Sequence, residues 1–202
     1  MDEREAIQDL KAGQLRGLAY LVRAHQTEAM RAAALITGDP AAAEDLVQAA
    51  FLRFAEKPQA FDSSRSFKPY FMKMVVNDAI KLVQRQKPEF SLDEKNLEDG
   101  FDLLDPKPLP EAIIETRQAQ EQVRAALAKL PPKQRAVVVL RHYLEFSESE
   151  IRDMIGSPLG TIKWRLFSAR TRLASLLRAN AVETSLDPEP SLANQKDGAK
   201  NA

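Results

Sequence analysis

The sequence contains no cysteine, which excludes a disulfide framework, a thiolate metal site and a cysteine nucleophile. Glycine is rare, with 7 residues among 202, and aromatic residues make up only 6% of the chain. The longest uninterrupted apolar runs are five residues long, as at 136–140, so no segment can span a bilayer. Together with 44% apolar and 29% charged residues, these scarcities predict a soluble helical protein rather than a β-sandwich or barrel.

Neither sign of charge is in excess, because 29 Lys and Arg residues balance 29 Asp and Glu residues. Residues 1–14 are strongly charged and therefore do not begin a signal peptide. We expect a cytoplasmic protein that inserts no segment into a membrane.

Residues with catalytic potential are few. The two histidines, His25 and His142, are 117 positions apart, and His142 falls in an apolar helical segment where we expect it to pack. Glu44 and Asp45 are adjacent on a predicted helix, so their carboxylates cannot converge as a catalytic pair. No glycine-rich loop is available to hold a phosphate group. We therefore expect no enzymatic activity, no catalytic residue, no metal site and no cofactor.

Apolar residues recur at helical spacing in two parts of the chain, residues 1–87 and residues 111–180. Between them, residues 88–110 hold four prolines and one glycine and show no sustained period. From Glu89 to Glu115, nine acidic residues stand against two basic ones. The predicted fold class is all-α, with two small helical domains joined by a flexible acidic linker at 88–110. Residues 181–202 lack core-forming residues and are predicted to be a disordered tail.

Within the first domain, one helical stretch is predicted from Glu5 to Leu35. A second helix begins after Asp39, with Pro40 in its first turn. A loop is predicted at 57–69, and another helix follows it.

The C-terminal part of the second domain has the register of a helix-turn-helix motif. Ser147 or Ser149 can cap a short first helix, Gly156 marks the turn, and a second helix begins at about Leu159. Apolar positions follow in the second helix at spacings of 4, 3, 4 and 3, and they are Ile162, Leu166, Ala169, Leu173 and Leu176. Residues 156–178 hold five Lys or Arg residues and no acid.

The outward positions of this second helix, and the turn before it, are candidates for contact with duplex DNA. They are Ser157, Thr161, Lys163, Trp164, Arg165, Phe167, Ser168 and Arg170. Such a helix fits the major groove, where its first residues reach base edges and its cations neutralise phosphates. A cationic helix end also interacts favourably with the helix dipole, so the positive charge alone does not show that this helix contacts DNA. Arg152 stands where the two helices of the motif meet, and its stem is expected to run out to solvent.

Residues 63–87 contain six basic residues and a single acid, Asp78. Phe61, Phe67 and Tyr70 are interleaved with these cations. This combination suits single-stranded nucleic acid, because aromatic rings stack on bases while cations follow the backbone.

Three segments together resemble a family. LPPKQRAVVVLRHYLEFSESEIRDMIGSPLGTIKWRLFSARTRL resembles the promoter −35-reading domain of bacterial sigma factors of the extracytoplasmic function group, which belong to the sigma-70-like factors. GDPAAAEDLVQAAFLRF resembles the family's polymerase-binding helix, and FDSSRSFKPYFMKMVVNDAI resembles its promoter-melting segment. The resemblance covers about residues 15–178 in the family's order.

The resemblance implies a transcription initiation factor that binds core RNA polymerase at its clamp helices and flap. The first domain would open the −10 element as single strands, and the second would read the −35 element as duplex DNA. An anti-sigma protein is a further implied partner. The implied polymerase contacts are Glu44, Asp45, Leu46, Gln48 and Phe51. The implied −10 contacts are Phe61, Arg65, Phe67, Lys68, Tyr70, Lys73, Asn77 and Lys81, with Asn77 in the place of the family's base-binding asparagine.

Several positions depart from the family's pattern. Tyr70 replaces the usual tryptophan of the melting segment, Lys81 stands where an acid is common, and Ala49 replaces a glutamate of the polymerase-binding helix. Trp164 and Ser168 replace a common serine and a common arginine on the presumed base-reading face. Because of the departures at Trp164 and Ser168, the amino-acid sequence does not assign the DNA sequence that is read at the −35 element.

Two other classes of function remain open from the residues. A stand-alone helix-turn-helix regulator would bind duplex operators as a dimer without polymerase. A sigma mimic would sequester an anti-sigma protein and open no promoter. The basic and aromatic segment at 61–87 favours the initiation factor, because neither alternative needs a strand-melting surface.

Overall fold

The structure is a computed structural model that describes residues 1–86, 88 and 117–186, without the side chains of 117, 118 and 180–186. The described residues form helices and turns and contain no strand, which confirms the all-α prediction. The first four helices are α1 (Glu3–Lys11), α2 (Leu15–Thr37), α3 (Pro40–Glu56) and α4 (Phe67–Gln86), with a 3₁₀ turn at Pro58–Ala60. The others are α5 (Arg117–Ala128), α6 (Pro132–Val138), α7 (Glu148–Ile155) and α8 (Leu159–Leu186), with a π-helical turn at Val139–Tyr143.

The first domain is a bundle in which α2 packs against α1, α3 and α4. Its first helical stretch is broken into α1 and α2, which differs from the single stretch predicted. The break follows Ala12, and Gly13 there has φ +80°, a left-handed conformation that favours glycine. Asp39 caps α3 by accepting from the backbone N–H groups of Ala41 and Ala42, as predicted.

The second domain contains the predicted helix-turn-helix, formed by α7, a turn and α8. Ser147 caps α7 in a reciprocal capping box with Glu150, and Gly156 ends it with φ +71°. The second helix begins at Leu159, and the predicted inward residues are buried, except that Leu176 is half-buried. Arg152 is exposed and pairs with Asp153, so its charge lies in solvent and not where α7 and α8 meet.

The predicted segment boundaries can be compared with the structure only in part. Apart from Pro88, the linker predicted at 88–110 lies outside the described residues, as does the tail beyond 186. α8 continues to Leu186, so the helix includes the first six residues of the predicted tail at 181–202. In the part of the chain that the structure describes, no helix is long and apolar enough to cross a membrane.

The two domains pack directly on one another. α4 contacts α6 and α7, while α2 contacts α5 and α6, so that a single apolar cluster includes residues of both domains. Arg135 joins them: its side chain is 2% exposed and its Nη1 donates to Ile36 O at 2.5 Å. The same guanidinium donates to Ala128 O and Leu130 O, and burial lowers the pKa of Arg135 to about 10.

Candidate nucleic-acid and polymerase interfaces

One face of α3 is the candidate polymerase surface. Glu44, Asp45 and Gln48 are exposed, and Gln48 Nε2 donates to Glu44 Oε1 at 3.1 Å. Leu46 is half-buried. Phe51 is only 5% exposed because its ring stacks on that of Phe71, with centroids 4.2 Å apart. The structure therefore places Phe51 in the core and leaves little of it for a partner.

Sequence reasoning missed Leu52, whose exposed fraction is 61%. It follows Asp45 and Gln48 at helical spacings of 7 and 4, so it belongs to the same exposed face of α3. That spacing was the signal that could have found it. A large aliphatic side chain on a polar face suits a contact with another protein.

Two of the three aromatic side chains expected on the candidate −10 surface are buried. Phe67 is fully buried and Phe61 is 2% exposed, so the expectation that they stack on bases is wrong. The physical reason is an aromatic cluster: both rings pack on Phe54, with centroids 4.8 and 5.9 Å away. Only Tyr70, half-buried at the edge of this cluster 4.7 Å from Phe61, reaches the surface.

The polar members of this surface remain accessible to different degrees. Tyr70, Lys73, Asn77 and Lys81 fall on one stripe of α4 at helical spacing. Lys73 and Lys81 are exposed and Asn77 is half-buried. Lys68 is also half-buried, and its Nζ pairs with Glu28 Oε1 at 2.7 Å.

The last turn of α7 lies against this stripe. Asn77 Nδ2 donates to Met154 O at 3.1 Å, and Lys73 Nζ donates to Asp153 O at 2.9 Å. Lys68 Nζ lies 5.7 Å from the centre of the Phe146 ring. The carbonyls at a helix C-terminus carry partial negative charge. They therefore accept hydrogen bonds from the same amide and ammonium groups that are candidates for contact with nucleic acid. The −10 stripe of the first domain is thus in contact with the first helix of the helix-turn-helix in the second domain.

The helix-turn-helix presents fewer side chains than expected. Lys163 is exposed, while Ser157, Thr161, Trp164, Phe167, Ser168 and Arg170 are half-buried. The predicted outward placement of Arg165 is wrong, since it is 2% exposed and its Nη1 donates to Ser157 Oγ at 2.8 Å. Arg165 therefore holds the turn before α8, because its cation is bonded to that turn rather than free in solvent.

His142 is also placed differently from its prediction as a packing residue. It is exposed at the π-helical turn, and its Nε2 accepts a hydrogen bond from Arg170 Nη2 at 3.3 Å. Partial burial and the charges of Arg170 and Arg141 hold the pKa of His142 below its usual range. Among the residues described, no cluster of His, Asp and Glu side chains could hold a metal ion.

Comparison with known proteins identifies the family of the chain that carries these surfaces. Residues 21–89 match the family model for sigma-70 region 2, and residues 120–173 match that for sigma-70 region 4. The RNA polymerase sigma-E factor of Streptomyces coelicolor is 30% identical over 166 residues, which cover 80% of this chain and 86% of that protein. The chain belongs to the extracytoplasmic function sigma factors of the sigma-70 family.

Other relatives of this sigma factor agree. The extracytoplasmic function sigma factor SigW of Bacillus subtilis is 27% identical over 180 residues, covering 87% of this chain and 96% of SigW. SigM of Mycobacterium tuberculosis is 31% identical over 166 residues, covering 82% and 80% of the two chains. In this sigma factor, α4 and its preceding loop fall in the region 2 match, and the helix-turn-helix as far as residue 173 falls in the region 4 match.

Two solved structures share the fold of this sigma factor. The sigma factor RpoE in complex with the anti-sigma factor NepR from Bartonella quintana has a TM-score of 0.58 at 21% identity, covering 80% of this chain and 97% of RpoE. CnrH in complex with the cytosolic domain of CnrY has a TM-score of 0.63 at 21% identity, covering 89% and 99%. At this identity the likeness is one of fold.

Proposed function

We propose that this sigma factor binds core RNA polymerase and directs initiation at specific promoters, melting the −10 element and reading the −35 element. The observation that carries the proposal is the stripe of Tyr70, Lys73, Asn77 and Lys81 on α4. An amide, a phenol and two cations at helical spacing suit unpaired bases and their phosphates. An operator-binding regulator has no use for such a stripe.

At the −10 element, the bases of one strand would leave the stack and meet Asn77 and Tyr70, while Lys73 and Lys81 contact phosphates. The amide of Asn77 and the ammonium of Lys73 donate to carbonyls of α7 in the absence of DNA. Nucleic acid must replace these carbonyls as the acceptor. Promoter binding therefore requires α7 to move away from α4.

At the −35 element, the N-terminal half of α8 would enter the major groove of duplex DNA. In this half of α8, Lys163 is exposed and Trp164 and Phe167 are half-buried, whereas Ile162 and Leu166 are buried. Arg165 acts indirectly in this proposal, since its hydrogen bond to Ser157 sets the turn that aims the helix.

Core polymerase would bind the α3 face formed by Glu44, Asp45, Gln48 and Leu46, to which we add Leu52. A hydrophobic side chain inside a charged rim is a common arrangement at protein interfaces. We also propose regulation by an anti-sigma protein, because the structural neighbour RpoE was solved in complex with the anti-sigma factor NepR. The protein would act in the cytoplasm as a binding factor and not as an enzyme.

Run-off transcription with purified core polymerase on fragmented host DNA tests the proposal. The wild-type chain should yield discrete transcripts, and aligned start sites should reveal two conserved elements upstream. Asn77→Ala and Lys163→Ala should each reduce transcript yield about tenfold or more, as expected for a lost base or phosphate contact. Lys129→Ala, which removes an exposed cation just after α5, is the matched control and should transcribe like wild type.

The alternatives predict different results in the same assay. A stand-alone regulator would bind specific duplex DNA but add no transcript to core polymerase. A sigma mimic would bind an anti-sigma protein and give neither transcripts nor specific DNA binding. Either result would refute the initiation factor.

A further inference from the structure

The N-terminal helix α1 is bonded to the loop between α3 and α4, residues 57–66. Lys11 Nζ donates to Phe61 O at 2.7 Å and to Ser63 Oγ at 2.8 Å. In return, Gln59 Nε2 donates to Lys11 O at 2.7 Å. Lys11 is half-buried, so its ammonium is committed to this loop rather than offered to a phosphate.

A second contact fixes the far end of the loop. Glu3 Oε1 accepts from the backbone N–H of Phe67 at 3.2 Å, and this N–H belongs to the first turn of α4, where no helical partner exists. Glu3 Oε2 also lies 2.9 Å from Nε2 of His25 on α2. One short helix therefore holds both ends of the loop that leads into the −10 stripe.

The position of α1 on α2 is itself fixed by close packing. Ala6, Ile7 and Leu10 of α1 are buried, and α1 meets α2 at Gly17. A Cβ at Gly17 would lie 2.1 Å from the carbonyl oxygen of Ala6, so only glycine permits this approach. Any side chain at position 17 would displace α1.

The loop is a folded turn between these two anchors. Asp62 Oδ1 accepts from Ser64 N at 3.0 Å and from Ser64 Oγ at 2.7 Å, and Arg65 N donates to Asp62 O at 3.0 Å. Ser64 and Arg65 are exposed, and the side chain of Arg65 is 80% accessible. Phe61, at the start of the turn, packs 4.7 Å from Tyr70, so the turn adjoins the −10 stripe.

We propose that Lys11 is a positioning residue for −10 recognition: through it, α1 holds the loop so that Ser64 and Arg65 face the unpaired −10 strand beside Tyr70. This inference rests on the proposed function and adds to it an element that precedes the region 2 match, which starts at residue 21. A preformed loop avoids the entropic cost of ordering on binding, and selectivity depends on such fixed geometry.

The test uses holoenzyme assembled from core polymerase and the full chain. Templates carry the promoter mapped by run-off transcription, with base pairs randomised at either the −10 or the −35 element, and the transcripts are sequenced. Lys11→Met removes the ammonium and keeps the stem. Gly17→Ala displaces α1 without touching the loop. Lys11→Arg keeps a cationic donor, and Arg4→Ala removes an exposed cation of α1 as the control.

Lys11→Met and Gly17→Ala should lower the enrichment of the preferred −10 sequence about tenfold, the effect expected of a small displacement of binding groups. Selectivity at −35 and the affinity for core polymerase should stay at the wild-type level. Lys11→Arg should restore most of the −10 selectivity, and Arg4→Ala should equal wild type.

The inference is overturned if Lys11→Met keeps wild-type −10 selectivity, or if it loses −35 selectivity and polymerase affinity to the same degree. The second outcome would mean that Lys11 only stabilises the fold. Failure of the wild-type chain to select any −10 sequence would refute the proposed function itself, so the two failures are distinguishable.

Discussion

Arg165 and Lys163 are near neighbours in the sequence with opposite roles in the structure. Arg165 is buried against the turn and bonded to Ser157, whereas Lys163 is exposed on α8. A buried hydrogen-bonded cation contributes to folding, and an exposed one contributes to DNA affinity.

We therefore expect Arg165→Met to lower the melting temperature and to weaken binding to all duplex sequences. Lys163→Ala should change the free energy of unfolding by less than about 0.5 kcal/mol. It should also reduce the slope of log affinity against log salt by about 1, the value for one lost phosphate contact. Thermal melts and salt titrations with promoter duplex measure both effects. Equal melting temperatures for wild type and Arg165→Met would contradict the role of Arg165.

His142 gives the stability of the second domain a pH dependence. Its pKa is lowered in the folded protein by partial burial and by Arg170 and Arg141. As pH falls through the ordinary histidine value of about 6.5, the unfolded chain therefore takes up a proton that the folded chain resists. Stability is complete above this range and declines below it.

The expected result is a loss of melting temperature between about pH 7 and pH 5 that is smaller in His142→Gln than in wild type. Glutamine keeps an acceptor for Arg170 but takes up no proton. Melting curves at closely spaced pH values measure the difference. Parallel curves for the two proteins would show that His142 does not contribute.

At the scale of the element, the turn of the helix-turn-helix depends on the backbone conformation of one residue. Gly156 has φ +71°, and a Cβ added to it would meet no atom within 4 Å. Gly160, in the first turn of α8, has equally open space around it. The two glycines therefore differ in backbone conformation and not in steric room.

We expect Gly156→Ala to destabilise the protein by about 1 kcal/mol, because alanine is strained in the left-handed region. Gly160→Ala should leave stability unchanged or raise it by up to about 1 kcal/mol, since alanine is the better helix former. Urea unfolding of both variants measures the two free energies. A destabilisation of the same size in both would refute this explanation of the turn.

At the scale of the whole molecule, the apolar cluster shared by the two domains keeps the −10 stripe against α7. Asn77 and Lys73 donate to α7 carbonyls, and Arg135 of α6 donates to Ile36 O at the end of α2. The proposed DNA-binding state must break the first two bonds.

Because the chain has no cysteine, two dyes can report this opening without background labelling. Ala24→Cys on α2 and Ser175→Cys on α8 are exposed positions in different domains. Energy transfer between the dyes should fall when core polymerase and promoter DNA are added. A pair within the first domain, Ala24→Cys and Lys57→Cys, should show no change. An unchanged signal from the interdomain pair in an active holoenzyme would contradict the opening.

Local patterns predicted much of the fold. Capping by Asp39, the glycine turn at 156 and the start of α8 are properties of short segments, and the sequence was sufficient for them. For α7 the sequence left Ser147 and Ser149 as alternative caps, and the structure selects Ser147. The break between α1 and α2 was missed, although Gly13 lies there and the apolar spacing widens to five residues between Leu10 and Leu15.

The sequence by itself therefore determined most of the helices, the two domains and the family, because periodicity, caps and motifs depend on neighbours along the chain. Tertiary structure decided which candidate side chains are free. Phe61, Phe67 and Arg165 are residue types that suit a nucleic-acid surface, yet the two rings are buried in an aromatic cluster and the guanidinium is buried against the turn before α8. The bonds from Lys11 to the loop 57–66 and from Asn77 to α7 join residues at least 50 positions apart. Such contacts depend on how the helices pack, which no local pattern records.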